Sequence, residues 1–145
     1  MKLTSKDFTD NNHIPSEFTS DGRNISPQLS WQDAPEGTKS FALAVTDPDA
    51  VGGGWNHWLV YDVPKSVKEI SQNSLPAGAK EVENDFGRKR YGGPSPPSGT
   101  HRYIFTLYAL DTAHIDGISS YNFFDKVEKH AIAKAQLMGL YKRQR

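Results

Sequence analysis

Two segments near the middle of the chain repeat apolar side chains with a period of two, as in a β-strand that buries one face. The first face carries Phe41, Leu43, Val45 and Asp47, and the second carries His57, Leu59, Tyr61 and Val63. A glycine-rich turn at 51–54 separates them, so we predict an antiparallel hairpin in which one strand's end meets the next strand's start. Asp47 closes the first strand and His57 opens the second, and their side chains are therefore expected to approach each other.

A third strand is predicted at 102–110, where both faces are apolar. One face carries Tyr103, Phe105, Leu107 and Ala109, and the other carries Ile104, Tyr108 and Leu110. This pattern is typical of a central strand that is covered on both sides. His101 directly precedes the strand, so Asp47, His57 and His101 all lie at strand ends. One rim of a sheet can bring the three together.

The pattern is weaker in the rest of the chain. Leu29 and Trp31 alternate after Pro27 and predict a short strand. Residues 65–90 are weakly periodic and are interpreted as excursions over the surface. From about 121 to 141, apolar residues recur at helical spacing and predict a C-terminal helix packed on the sheet. The apolar positions of this helix are Phe124, Val127, Ala131, Ala135 and Met138.

Composition narrows the class of protein. The 145 residues are a common size for one domain, so we predict a single domain over 1–145. The 17 Lys and Arg residues balance 17 Asp and Glu residues, which removes the simplest argument for nucleic-acid binding. The absence of cysteine excludes disulfides, thiolate nucleophiles and cysteine metal sites. No stretch of about 18 residues is apolar and the N-terminus has no signal-like core, so we expect no membrane span and a cytoplasmic location.

The segment 91–103, YGGPSPPSGTHRY, is too rich in proline and glycine for a helix or a strand. Glycines let backbone N–H groups come close to a bound group, and prolines hold the shape of a loop. His101 stands where the chain returns to regular structure. We interpret the segment as one wall of a small anion pocket, and the alternative is a plain connecting loop.

Four motifs in a fixed order resemble the phosphatidylethanolamine-binding protein family, and within it the short prokaryotic branch described as Raf-kinase-inhibitor-like. They are SPQLSW at 26–31, DPD at 47–49, WNHW at 55–58 and GGPSPPSGTHRY at 92–103. The resemblance implies an all-β fold in which a smaller sheet flanks a large antiparallel sheet, with a C-terminal helix near a small anion pocket. It also implies a homodimer and a regulatory or inhibitory role.

The resemblance also implies which positions bind the ligand. On this sequence they are Asp47, Trp55, His57, Gly93, Pro96, Pro97, His101 and Tyr103. The sequence departs from the family at Val51, where a proline usually follows DPDA, and the loop before WNHW is expected to be less rigid as a result.

The chemistry of these side chains agrees with anion binding. A carboxylate that accepts from one imidazole nitrogen fixes the ring and leaves the other nitrogen for a ligand. We expect Asp47 to orient His57, His101 or both, and backbone N–H groups near Gly92 and Gly93 to help hold phosphate or carboxylate oxygens. The predicted function is binding of a phosphate, a phosphorylethanolamine-like headgroup or a phosphorylated residue, without a metal or another cofactor.

Three alternatives follow from the same residues. Asp47, His57 and His101 would suffice for a metal-dependent hydrolase or oxygenase, although the compact HxD and HExxH spacings are absent. Ser95 and Ser98 lie near His101 but without the GxSxG of a serine hydrolase. The basic residues at 88–90 and in the C-terminal YKRQR are interpreted as solvated surface, or as a site for an acidic protein partner.

Overall fold

The computed structural model describes residues 1–144, which form nine strands and one α-helix. The strands are β1 Lys2–Thr4, β2 Asn12–His13, β3 Leu29–Gln32, β4 Ser40–Asp47, β5 Trp55–Pro64, β6 Glu69–Ile70, β7 Lys80–Val82, β8 Thr100–Leu110 and β9 Ala131–Lys142. The helix α1 spans Phe123–His130, and a short 3₁₀ turn spans Ser16–Phe18. None of the described helices is long and apolar enough to cross a membrane.

The strands form two sheets, as predicted. The large sheet has the order β2-β9-β8-β4-β5-β7, and the small antiparallel sheet has the order β1-β3-β6. The predicted hairpin is confirmed as the antiparallel pair β4 and β5, and β8 lies inside the large sheet between β9 and β4. One detail of the prediction is wrong, because β2 pairs in parallel with β9 and makes the large sheet mixed.

The large sheet is covered on both faces. On one face, Phe41, Leu43 and Phe105 pack with residues of the small sheet such as Leu29 and Trp31. On the other face, the alternate residues of β4 and β8 pack against α1 and the chain that precedes it. This second cluster includes Ala42, Ala44, Leu59, Tyr108, Leu110, Phe123 and Val127. The apolar residues on both sides of β8 are explained by this double burial.

The predicted C-terminal helix is correct only at its start. It ends at His130, and residues 131–142 instead form β9, which pairs with β8 along its length from Leu110 to Thr100. The odd-numbered residues of β9 are more buried than the even-numbered ones, as a strand requires. The long ladder of hydrogen bonds to β8, which has one irregularity between Ala109 and Leu110, outweighs the helix propensity of the alanines, which is a weak local preference.

The topology brings three strand ends to one edge of the large sheet. Asp47, the last residue of β4, pairs with Trp55, the first residue of β5. The pairing of β4 with β8 ends at Thr46 and Ile104, so the first residues of β8 extend past the end of β4. This edge therefore receives side chains from the end of β4 and from the starts of β5 and β8.

Candidate functional site

A cavity of about 240 Å³, called here the histidine pocket, opens at this edge. Its lining consists of Asp47, Ala50, Val51, Trp55, His57, Phe86, Ser95, Pro96, Pro97, His101 and Tyr103. Seven of the nine residues proposed from the sequence therefore line one cavity. The two others, Gly92 and Gly93, line a neighbouring cavity instead.

His101 is held by a buried carboxylate. Its Nδ1 lies 2.6 Å from Oδ2 of Asp47, and the two residues are 9% and 3% exposed. The other oxygen of Asp47 accepts the backbone N–H of Asp49 at 2.8 Å. Because an ionised carboxylate only accepts hydrogen bonds, Nδ1 of His101 carries a proton and donates it. Nε2 of His101 is left for a ligand.

His57 is held by a backbone carbonyl rather than by Asp47. Its Nδ1 lies 2.6 Å from the carbonyl oxygen of Gly92, and the Gly92 N–H donates back to the carbonyl of His57 at 3.0 Å. A carbonyl oxygen can only accept, so Nδ1 of His57 is also protonated. Burial lowers the pKa of His57 from its ordinary value of 6.5, against the opposing effects of Gly92 and Asp47. The ring is therefore neutral at pH 7, and its Nε2 is an acceptor.

The two glycines do not supply the ligand donors expected from the sequence. The N–H of Gly92 is bonded to His57, and the N–H of Gly93 donates to Oδ1 of Asn24 at 2.7 Å. Both N–H groups are thus already satisfied inside the protein. Gly93 is instead required for close packing, because a Cβ there would clash with the backbone of Phe18. These residues shape the wall behind His57 without facing the pocket.

Tyr103 places a second kind of donor at the pocket. Its ring meets His57 edge-on at 5.3 Å and lies nearly parallel to the His101 ring at 6.4 Å. Its hydroxyl is fully buried and makes no hydrogen bond of ordinary geometry to the described residues, although the Asp47 carboxylate and the Ser95 backbone lie near it. Burial, and then the nearby Asp47 carboxylate, raise the pKa of Tyr103, so the hydroxyl stays protonated. Since an unsatisfied buried donor costs about 1–3 kcal/mol, a ligand oxygen within reach would be stabilised here.

Phe86 is a pocket residue that the sequence reasoning missed. It is 44% exposed, and its ring packs edge-on against Trp55 at 5.5 Å and His57 at 5.3 Å. Asn84 holds this segment, because its Oδ1 accepts the backbone N–H groups of Phe86 and Arg88, at 2.9 and 3.1 Å. The turn-forming sequence Asn84-Asp-Phe-Gly was the available signal, since an asparagine often bonds the backbone two residues on.

The rim of the pocket is fixed by a pair that the sequence did not reveal. Asp49 accepts Nε and Nη2 of Arg102 at 3.0 and 2.8 Å, and it also accepts the Arg102 backbone N–H at 2.9 Å. These bonds lower the pKa of Asp49 to about 2. The pair ties the loop after β4 to the start of β8. Val51 lies in that loop, lines the mouth of the pocket and is 88% exposed.

The side chains that were considered for a metal do not form a donor set. Within residues 1–144, no group of three or more His, Cys, Asp or Glu side chains is arranged to hold a metal ion. Both oxygens of Asp47 are committed to His101 and Asp49. The geometry therefore gives no support to the metal-dependent alternative.

Comparison with known proteins agrees with the geometry. The family model described as phosphatidylethanolamine-binding protein matches residues 4–142. The chain belongs to the phosphatidylethanolamine-binding protein family. It is 43% identical to a protein of Methanothermobacter thermautotrophicus, and the alignment covers 99% of both chains.

Two solved structures of this family are similar throughout. The structure of Escherichia coli YbcL, described as a new member of the mammalian family, superposes with a TM-score of 0.93 at 34% identity. It covers 99% of this chain and 98% of YbcL. A structure of a family homologue from Chlamydia trachomatis gives a TM-score of 0.91 at 35% identity and covers 99% and 97% of the two chains.

The four family motifs do not all lie at the pocket. DPD, WNHW and GGPSPPSGTHRY all contribute residues to the histidine pocket. SPQLSW instead leads into β3, where Leu29 and Trp31 belong to the core beneath the small sheet. Three of the four family motifs thus build the pocket, and the fourth stabilises the fold.

Proposed function

We propose that the histidine pocket binds a small phosphoryl-containing anion and that the protein has a regulatory role. One observation carries the proposal. Two neighbouring histidines each have Nδ1 fixed by a protein oxygen at 2.6 Å, and neither Nε2 has a hydrogen bond to the described residues. Rings held in this way present a preset nitrogen to a ligand, and the buried Tyr103 hydroxyl adds an unused donor.

The charges in the pocket select the protonation state of the anion. Neutral His57 offers an acceptor, which suits the acidic proton of a phosphate monoanion or a phosphomonoester monoanion. Asp47 is buried beside the pocket and repels a dianion. A zwitterionic headgroup such as phosphorylethanolamine also fits, because its ammonium can lie against the rings of Trp55 and Phe86 at the mouth.

Proton linkage gives the proposal a second consequence. The complex holds one proton between Nε2 of His57 and the phosphoryl oxygen, and the negative charge of the bound anion opposes the loss of that proton. Binding then takes up a proton, and affinity increases as the pH falls towards the ordinary histidine range.

One feature favours reversible binding over a serine-hydrolase reaction. The hydroxyl of Ser95 accepts Arg143 Nη2 at 2.5 Å, so it is engaged by a cation and not by a histidine base. Reversible capture of a phosphoryl group is the step that a regulatory protein needs, and the family's name also points to a phosphorylated headgroup as ligand. The homodimer implied by the resemblance and the cytoplasmic location expected from the sequence stay predictions.

The test is calorimetric titration with phosphorylethanolamine and with inorganic phosphate, using ethanolamine as the control without phosphate. We expect saturable binding to the parent protein and at least about tenfold weaker binding to His101→Ala, because a charge-assisted hydrogen bond is lost. His130→Ala is the matched control, since this histidine also pairs with an aspartate but lies outside the pocket. Equal binding by His101→Ala and the parent would contradict the proposed site.

A further inference from the structure

The segment 94–97, with the sequence PSPP, forms one wall of the histidine pocket. Three of its four residues are prolines, which have no backbone N–H, so Ser95 supplies the one N–H of this segment. Regular pairing with β9 begins only at Thr100, the first residue of β8. The wall therefore depends on contacts with other parts of the chain.

Arg143, which directly follows β9, supplies one of these contacts. Its Nη2 donates to Oγ of Ser95 at 2.5 Å and lies 3.3 Å from the carbonyl oxygen of the same residue. Within residues 1–144, the guanidinium of Arg143 makes no salt bridge. Its hydrogen bonds are thus directed at the side chain and the backbone of the pocket wall rather than at a carboxylate.

The chain on either side of this arginine is also anchored. The hydroxyl of the buried Tyr141 donates to Oδ2 of Asp21 at 2.5 Å, and the backbone N–H of Gln144 donates to the same oxygen at 3.0 Å. The bond from Tyr141, and then that from Gln144, lower the pKa of Asp21, so the carboxylate stays ionised and keeps both bonds at neutral pH. The neighbouring Ser20 donates its N–H to the carbonyl of Pro94 at 3.0 Å. The C-terminal end and the pocket wall are therefore fixed to the same turn.

Ser95 also acts on the ligand side of the wall. It lines the pocket, and its backbone lies near the Tyr103 hydroxyl, where it opposes the rise in the pKa of Tyr103. This hydroxyl is the donor that we assign to the bound anion. Because hydrogen bonds weaken steeply away from their optimal distance and angle, a small displacement of Ser95 is expected to change the geometry of that donor. One residue thus connects Arg143 to the binding chemistry.

We propose that Arg143 is a positioning residue of the histidine pocket, which holds Ser95 and through it sets the wall and the Tyr103 hydroxyl for the bound anion. The inference rests on the proposed function, since it concerns the affinity of the same pocket. Arg143 itself does not line the cavity. Displacing it from Ser95 therefore lowers anion affinity without occupying the pocket, and the C-terminal end of the chain modulates binding from outside.

The first test is calorimetric titration of the full chain with inorganic phosphate and with phosphorylethanolamine. Arg143→Gln should bind both about fivefold more weakly, with an unchanged midpoint of urea denaturation, because the ligand's hydrogen bonds lose their geometry. Arg143→Lys keeps the charge but not the planar fork, so it should recover only part of the affinity. Lys142→Gln is the matched control, because Lys142 is the exposed neighbour and does not line the pocket. A lower midpoint with parental affinity would assign Arg143 a structural role alone and overturn the proposal.

The route through Tyr103 is tested in the Tyr103→Phe background. If Arg143 acts through this hydroxyl, Arg143→Gln should weaken phosphate binding less in that background than in the parent protein. An equal loss of affinity in both backgrounds would contradict the assigned route.

Hydrogen exchange of the free protein, followed by NMR, tests the inference without a ligand. In Arg143→Gln the amide of Ser95 should exchange severalfold faster, whereas the amides of Gly92 and Gly93, which are bonded to His57 and Asn24, should not change. Unchanged exchange at Ser95, or parental phosphate affinity in Arg143→Gln, would overturn the positioning role and leave the proposed pocket intact. If the parent protein binds neither phosphate nor phosphorylethanolamine, the proposed function fails and the positioning role fails with it.

Discussion

A histidine pairs with an aspartate at each end of β8, but only one of the two pairs is buried. At its start, His101 meets Asp47 at 2.6 Å, and just after its end, Asp111 meets His130 at 2.9 Å. The side chains of His101 and Asp47 are 11% and 4% exposed, whereas those of His130 and Asp111 are 34% and 54% exposed. The contact distances are similar, and the surroundings differ.

Burial and space make the first pair a candidate site. Asp47 and His101 line a cavity with a second fixed histidine and an unpartnered hydroxyl, whereas Asp111 and His130 line none of the cavities described here. Water screens an exposed pair and competes for its hydrogen bonds, so such a pair contributes little. A histidine beside an aspartate thus indicates a functional site only when the fold also excludes water and leaves room for a ligand.

The largest contrast is expected in stability. Asp47→Ala leaves the Nδ1–H of the buried His101 without an acceptor, and we expect the free energy of unfolding to fall by about 1–3 kcal/mol. Asp111→Ala, at the exposed end, should change it by less than about 0.5 kcal/mol. Urea denaturation followed by circular dichroism measures both. Equal losses for the two variants would remove the distinction between the two ends.

The pH dependence of stability sharpens the contrast further. The folded pKa of His57 lies below its unfolded value of 6.5, so between these two values the unfolded state binds more protons. The free energy of unfolding should therefore fall as the pH drops below about 6.5 and should level off below the folded pKa. Urea titrations between about pH 7.5 and pH 5 should show a smaller slope for His57→Gln than for the parent. An unchanged slope in this variant would mean that His57 is not the group responsible, and His130→Gln serves as the exposed control.

Tyr103→Phe is expected to separate stability from binding. Removing an unsatisfied buried hydroxyl should leave stability unchanged or raise it by up to about 1 kcal/mol, while phosphate affinity falls severalfold. Tyr108→Phe is the control, because Tyr108 lies on the same strand but faces the helix side of the sheet. Denaturation and calorimetry on both variants measure the two quantities. A loss of stability without a loss of affinity in Tyr103→Phe would show that the hydroxyl has a structural partner.

The smallest effect concerns the exposed pair itself. A double-mutant cycle on Asp111 and His130, with alanine at each position, should give a coupling energy of at most about 0.5 kcal/mol that decreases with added salt. The same cycle on Asp47 and His101 should give a larger and less salt-dependent value. A coupling of equal size in both cycles would show that burial does not distinguish the pairs.

The fold could be predicted where burial left a clear repeat. β4, β5 and β8 show the period of two because each has a face in the core, and the double apolar pattern of β8 indicated its internal position. The wrong prediction concerned residues 131–142, which were expected to continue the helix and instead form β9. Ala131 and Ala135 fit a helical repeat as well as the alternation of β9, because alanine is small enough for either. Pairing with β8, a partner distant in sequence, decides between the two, and no local pattern contains that information.

The site could be predicted at the level of side chains but not of hydrogen bonds. The strand-end positions of Asp47, His57 and His101 follow from the repeat, and the hairpin and β8 then bring them together. The partner of each ring depends on details of one or two ångströms. The sequence could not show that Gly92 holds His57 through its carbonyl, or that Asn24 occupies the N–H of Gly93. Phe86 was missed because it enters from a loop without a repeat.

The central claim, that His57 and His101 form the phosphate-binding pair, is tested most directly by NMR of the histidine rings during titration with inorganic phosphate and with phosphorylethanolamine. The five histidines provide internal controls, because His13, His114 and His130 do not line the pocket. Saturable shifts confined to the ring signals of His57 and His101 are the predicted result. Equal shifts of all five rings, or no shift of those two at saturating phosphate, would contradict the account.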